Sequence, residues 1–139
     1  MNVEVNWLAV VLATASSMVV GSIWYAKGVF GNTWAKMVGL DDEKMKKGAA
    51  KAIGITIVCS FITAYVLAHV AYLSNQFFKH SFLQDTLMTA FWVWLGFTAT
   101  RFITHDVFEQ RRKKLTALAL GNELVTIMVM ALIIGLLKP

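Results

Sequence analysis

The chain has 139 residues, 58% of them hydrophobic and only 15% charged, with a net charge of +5 and a mean hydropathy of +0.62. A soluble domain of this length carries about a quarter charged residues, whereas here long apolar blocks alternate with short cationic stretches. That pattern excludes an ordinary soluble domain, and it excludes a nucleic-acid binder, whose cations must gather on one face of a soluble fold.

The first apolar block is Trp7–Tyr25, preceded by "MNVEVN", which contains no Lys or Arg. Ala13-Thr14-Ala15 mimics a signal-peptidase site, but a secretory signal needs a positive n-region and a longer apolar run before the cut. An uncleaved span is expected. Within it Ala9, Ala13, Ser17 and Gly21 repeat every four residues, a ladder of small side chains that lets a second helix approach closely.

In the following loop, Phe30, Trp34, Met37 and Val38 recur at helical spacing. The pattern fits a short amphipathic helix in a membrane interface and equally an irregular loop with a few aromatics. Gly39-Leu40-Asp41-Asp42-Glu43 reads as a helix stop followed by a start with carboxylates at the positive helix end. The second helix is therefore expected to begin near Asp42 and to carry the second apolar block, Ala52–Leu73. That block holds another ladder: Ala52, Thr56, Ser60, Ala64 and Ala68. Together the ladders predict an antiparallel pair of the first two spans, unless one serves a contact between subunits. Cys59 is the sole cysteine and is expected to be a small packing residue.

The third and fourth blocks are Asp85–Thr104 and Leu115–Leu137. About 20 helical residues cross a hydrocarbon core, and continuous apolar runs without period-2 alternation argue for helices over a barrel. The expectation is an all-α integral membrane protein, one domain over residues 1–139, built as a bundle of four transmembrane helices. The first loop carries Lys27, Lys36, Lys44, Lys46, Lys47 and Lys51, and the third carries Arg111, Arg112, Lys113 and Lys114. The other side has only Lys79 and Lys138. Cation-rich short loops stay cytoplasmic, so both termini are expected to face outward.

Arg101 and Glu123 are the anomalies, since each falls within an apolar block. A charge at the centre of a span costs about 2.5–3.5 kcal/mol even on a lenient scale. Counted from the turn at Arg112, the two lie at equal depth on neighbouring helices, and guanidinium suits carboxylate. An Arg101–Glu123 ion pair is expected; the alternative is that Arg101 snorkels to the headgroups. Trp94, Thr98, Arg101, Thr104 and His105 share one face of the third helix, and Thr116, Ala119, Glu123, Thr126 and Met130 one face of the fourth. This polar seam either lines a small hydrated cavity or hydrogen-bonds across the helix pair. Glu123 is correspondingly either structural glue or a proton, ion or substrate site.

The remaining candidates are weaker. His105 and Glu109 have the spacing of a two-ligand metal corner, but nothing nearby completes it, and a solvated helix end is the ordinary reading. Trp7, Trp24, Tyr25, Tyr72 and Trp34 fit interfacial belts, and His69 is expected at the outer interface. Trp92 and Trp94 sit deeper and are expected to pack within the bundle or between subunits. No phosphate-binding loop, nucleophile elbow or paired catalytic carboxylates occur, so no cofactor or metal is expected.

Several of these words recur together in one family. Asn6-Trp7-Leu8-Ala9-Val10, Gly21-x-x-Trp24-Tyr25, Phe30-Gly31-x-x-Trp34, Ala64-Tyr65-Val66-Leu67-Ala68, and Trp92-x-Trp94-Leu95-Gly96-Phe97-x-Ala99-Thr100 with Phe108-Glu109 resemble the domain of unknown function 1761 family over nearly the whole chain. Gly121 falls where that family tends to place a glycine. Ala26-Lys27 stand where members usually carry a proline after the Trp-Tyr pair. The resemblance implies a small four-helix protein of the bacterial cytoplasmic membrane and brings no activity with it.

Three functional classes follow. One is a structural or interaction subunit whose ladders and Trp92/Trp94 bind partner helices, or a homo-oligomeric assembly. Another is a small transporter or proton permeation protein using Arg101 and Glu123. The last, a membrane enzyme, would need His105, Asp106 and Glu109 to converge.

Overall fold

A computed structural model describes residues 3–139, the Asp42 side chain excepted. Among the described residues every regular element is helical. Helix α1 spans Trp7–Trp24 and runs into a π-helical turn, Lys27–Gly31; α2 follows over Asn32–Val38 and α3 over Asp42–Phe78. After a short turn, α4 (Phe82–Val93), a π-helical segment (Trp94–Ala99) and α5 (Thr100–Phe108) continue in series, and α6 (Lys113–Leu137) returns.

The helix boundaries have local causes. Asn6 caps α1 by accepting from the Ala9 amide at 3.1 Å. Its amide group also donates to the Leu137 and Lys138 carbonyls at 3.1 and 2.8 Å, tying the start of α1 to the end of α6. Gly39, with φ +73°, ends α2 in the left-handed conformation that glycine adopts without strain. Asp41 caps α3 by accepting from the Lys44 amide at 2.8 Å. The aromatic-rich loop is thus a helix, and α3 starts at Asp42 as its carboxylates imply. At 37 residues, α3 is about 55 Å long at 1.5 Å per residue.

Trp7–Trp24, Glu43–Phe78 and Lys113–Leu137 are long and apolar enough to cross a membrane. Among the described residues only these three helices, not the expected four, meet that description. Where the third span was expected, the π-helical segment divides the run into α-helices of 12 and 9 residues.

The helices close into a ring in which α1 packs on α3 and α6, and α4 packs on the same two. The expected pairing of α1 with α3 exists, but α6 is the more extensive partner of α1. The core is made of small side chains and a few large ones: Ala9, Val10, Ala13, Ala64, Leu67, Ala68, Ala90, Ile127, Met130, Ala131 and Ile134. Ala9, Ala13 and Ser17 of the first ladder are buried and Gly21 is half-buried. In the second ladder Ser60, Ala64 and Ala68 are buried, whereas Ala52 and Thr56 are exposed. The α1–α3 contact therefore holds at the end carrying the termini and lapses toward the lysine-rich end.

Close approach depends most on Gly135. A Cβ there would meet the Leu83 Cδ1 at 2.7 Å and the Leu83 Cα at 2.9 Å, so α4 and α6 are nearly backbone to backbone. Gly135→Ala is expected to cost about 1–3 kcal/mol by overpacking. Gly54→Ala, on open ground, is expected to be neutral or stabilising by up to about 1 kcal/mol. Thermal unfolding in detergent compares the two.

Candidate functional site

Because α3 departs from α1 toward the lysine-rich end, a cavity of about 490 Å³ opens between α1, α3 and α6, with the π-helical segment as a further wall. Ser17, Gly21, Ser22 and Tyr25 line it from α1 and its C-cap; Thr56, Cys59, Ser60 and Thr63 line it from α3. Asn122, Glu123 and Thr126 line it from α6, and Trp94 and Thr98 from the π-helical segment. A second cavity of about 510 Å³ lies nearer the α5–α6 turn, bordered by Thr98, Arg101, His105, Asp106, Glu109, Arg111 and Glu123. Thr98 and Glu123 belong to both. Glu123 thus stands between a hydroxyl-lined inner chamber and a charged rim.

Three of the hydroxyl groups that line the inner chamber have a fixed polarity. Ser17 donates to the Thr14 carbonyl at 2.7 Å, Thr56 to the Ala52 carbonyl at 2.8 Å and Thr63 to the Cys59 carbonyl at 3.0 Å. Their protons are spent on their own helices, and what remains toward the chamber is acceptor capacity. Trp94 Nε1 and Asn122 Oδ1, on residues of the same lining, are buried without a protein partner.

The expected Arg101–Glu123 ion pair is not formed: among the described residues no Arg101 nitrogen lies within 4.0 Å of an acidic oxygen. Both side chains border the rim cavity, but Arg101 is exposed. The cause is the π-helical segment. It inserts one residue into the turn, rotating everything after Ala99 by about 100° relative to a regular helix. The common face read from Trp94 to His105 assumed regular spacing and is broken there. Thr98 keeps its place at both cavities and His105 stays at the rim. Thr104 is exposed, donates to the Thr100 carbonyl at 2.8 Å and leaves the seam. Thr98 and Thr126 line the inner chamber, and of the two alternatives for the seam, a cavity lining and hydrogen bonds across the helix pair, the first describes these two threonines.

The rotation brings Asp106 to α6 instead. Asp106 is buried, accepts from the Thr116 hydroxyl, and is paired with Arg111 at 3.3 Å. Its carbonyl also receives the Arg111 amide at 2.8 Å. Arg111 is therefore committed to the turn and does not neutralise Glu123. At the other end of the same helical run Asp85 plays the matching part. It is buried, accepts from Asn75 Nδ2 at 2.7 Å, and lies 2.9 Å from His80 Nδ1. Neither anchor follows from the sequence reading, which takes Asp85 as a span boundary and Asp106 only as a possible member of an enzyme site. The signal available in the sequence was a carboxylate within a turn of each hairpin.

Some further expectations also change. Cys59 is exposed and borders the inner chamber instead of packing in the core. Trp92 faces outward while Trp94 faces the bundle. His105 and Glu109 share the rim, and among the described residues no group of three or more His, Cys, Asp or Glu could hold a metal ion. Trp24 lies over Gly121, where a Cβ would meet its ring at 3.1 Å.

Asp106→Ala is expected to cost about 1–3 kcal/mol by stranding its partners, and Thr116→Val about half as much. Unfolding midpoints measure both; an unchanged midpoint for Asp106→Ala would show that the turn does not depend on this cluster.

With this geometry in place, the comparison with known proteins is informative about kinship alone. The chain belongs to the family described as "Protein of unknown function (DUF1761)", which matches residues 8–135. No curated protein and no solved structure matches it.

Proposed function

We propose that this member of the family is an integral protein of the bacterial cytoplasmic membrane, a single four-span domain that binds and passes a small solute at Glu123. In this reading α4, the π-helical segment and α5 together make the remaining crossing. Three features support the membrane placement. Three helices have the length and apolarity to span; large side chains such as Val19, Ile23, Ile55 and Ile62 are exposed along them; and the cations cluster in two loops. The positive-inside rule then puts those loops in the cytoplasm and the termini outside. The Asn6 bonds to the last α6 carbonyls support an even number of crossings.

The observation that carries the functional reading is that Glu123 borders two cavities and forms no ion pair among the described residues. A carboxylate serving as glue would be paired; a carboxylate serving a solute needs open, polar space beside it. The inner chamber falls in the usual range of about 300–1,000 Å³ for small-molecule sites. A structural or interaction role is the second reading, favoured by the exposed Ala52 and Thr56 half of the α3 ladder and by exposed Trp92. Both readings accommodate a homo-oligomer, whose second copy would cover that side of α3.

Glu123→Gln separates them. In proteoliposomes carrying a pH-sensitive dye, the solute reading expects proton-coupled flux to fall at least about tenfold while the detergent-solubilised assembly elutes unchanged. Dissociation of the assembly, with no flux in the unaltered protein, would establish the structural role instead.

A further inference from the structure

The charge of the solute can be read from what borders the inner chamber, an inference that rests on the binding reading above. Among the described residues Glu123 is the one acidic side chain of that lining, and no Lys, Arg or His borders it. Of the nearby cations, Arg111 is held by Asp106 and Arg101 lies at the rim. The hydroxyls of Ser17, Thr56 and Thr63 turn acceptor lone pairs toward the space because their protons are committed to backbone carbonyls. One carboxylate with acceptor hydroxyls beside it, and no cationic side chain among the described lining residues, repels anions and attracts positive charge, the unpartnered Trp94 Nε1 being a neutral donor in the same lining. Trp94 and Tyr25 add aromatic rings to the same lining, and a cation over such a ring gains about 0.5–2 kcal/mol.

We propose that the inner chamber selects a monovalent organic cation, a protonated amine with an apolar body. An inorganic divalent ion lacks its ligands, since no group of three or more His, Cys, Asp or Glu occurs among the described residues. Met18, Ile53, Ile127 and Met130 make part of the wall apolar, and that surface needs a carbon skeleton to cover it. A chamber of about 490 Å³ is far larger than any bare ion. The ammonium meets Glu123 and the acceptor hydroxyls, and the skeleton lies along the methionines and isoleucines.

Cys59 supplies the test, because it is the sole cysteine and borders this chamber. Its modification by N-ethylmaleimide is followed in the reconstituted full chain with benzylammonium, benzyl alcohol or benzoate, three probes of one size and three charges. Benzylammonium at about twice its dissociation constant is expected to slow labelling about threefold, saturably, with little protection from the other two. Glu123→Gln is expected to label normally without probe and to lose the benzylammonium effect. Should that variant not fold, the charge series on the unaltered chain decides alone. Equal or better protection by benzyl alcohol or benzoate would overturn the cation assignment and leave the binding reading standing. No protection by any probe would overturn both.

Discussion

A carboxylate inside an apolar helix must be paired or given polar surroundings, and this fold is organised around the second solution. Burying an ionised group without a partner or polar contacts is costly. Among the described residues Glu123 meets that demand with no ion pair. It borders a chamber lined in part by serine and threonine hydroxyls and, with Thr98, a second cavity with a charged rim. The chamber is the consequence of helices that hold together at one end and part at the other.

That parting is encoded by side-chain size and commitment. Near the termini, buried alanines of α1 and α3 belong to one core cluster, and Gly135 lets α4 approach α6 almost to backbone contact. Farther along α3, residues 51–59 are exposed, and the four-residue ladder no longer has a partner within the chain. Hydroxyls with back-bonded protons are compatible with an apolar wall and still offer acceptors. They let the chamber be polar without introducing a second charge. The two buried aspartates hold the flanking hairpins: Asp85 through Asn75 and His80, Asp106 through Arg111 and Thr116. By pairing with Arg111, Asp106 also engages one of the cations that border the rim cavity with Glu123. Structure and site are thus linked through one turn.

Much of the architecture was legible in the residues. Periodicity and block length anticipated the helices, Gly39 and Asp41–Glu43 marked the α2–α3 junction, and the ladders anticipated that α1 and α3 touch. Glu123 stood out as a lone acid in an apolar run. What stayed hidden depended on one departure from regular helical spacing. Nothing in Trp94–Ala99 announces an extra residue in the turn, yet it rotates α5, turns Arg101 outward and substitutes Asp106 for His105 at the helix contact. The exposed stretch of α3 was hidden for a different reason. A small-residue ladder permits close packing along its whole length, and only the positions of the neighbouring helices decide where packing stops.

The central claim is that Glu123 has no charged partner and looks into open space. A double-mutant cycle on Arg101 and Glu123, reading unfolding free energy of Arg101→Gln, Glu123→Gln and the pair, addresses it directly. Side chains that do not touch give an interaction energy within about 0.5 kcal/mol of zero, which is the result expected here. A coupling of about 1.5 kcal/mol or more would mean that the arginine and the carboxylate meet, and would contradict the account.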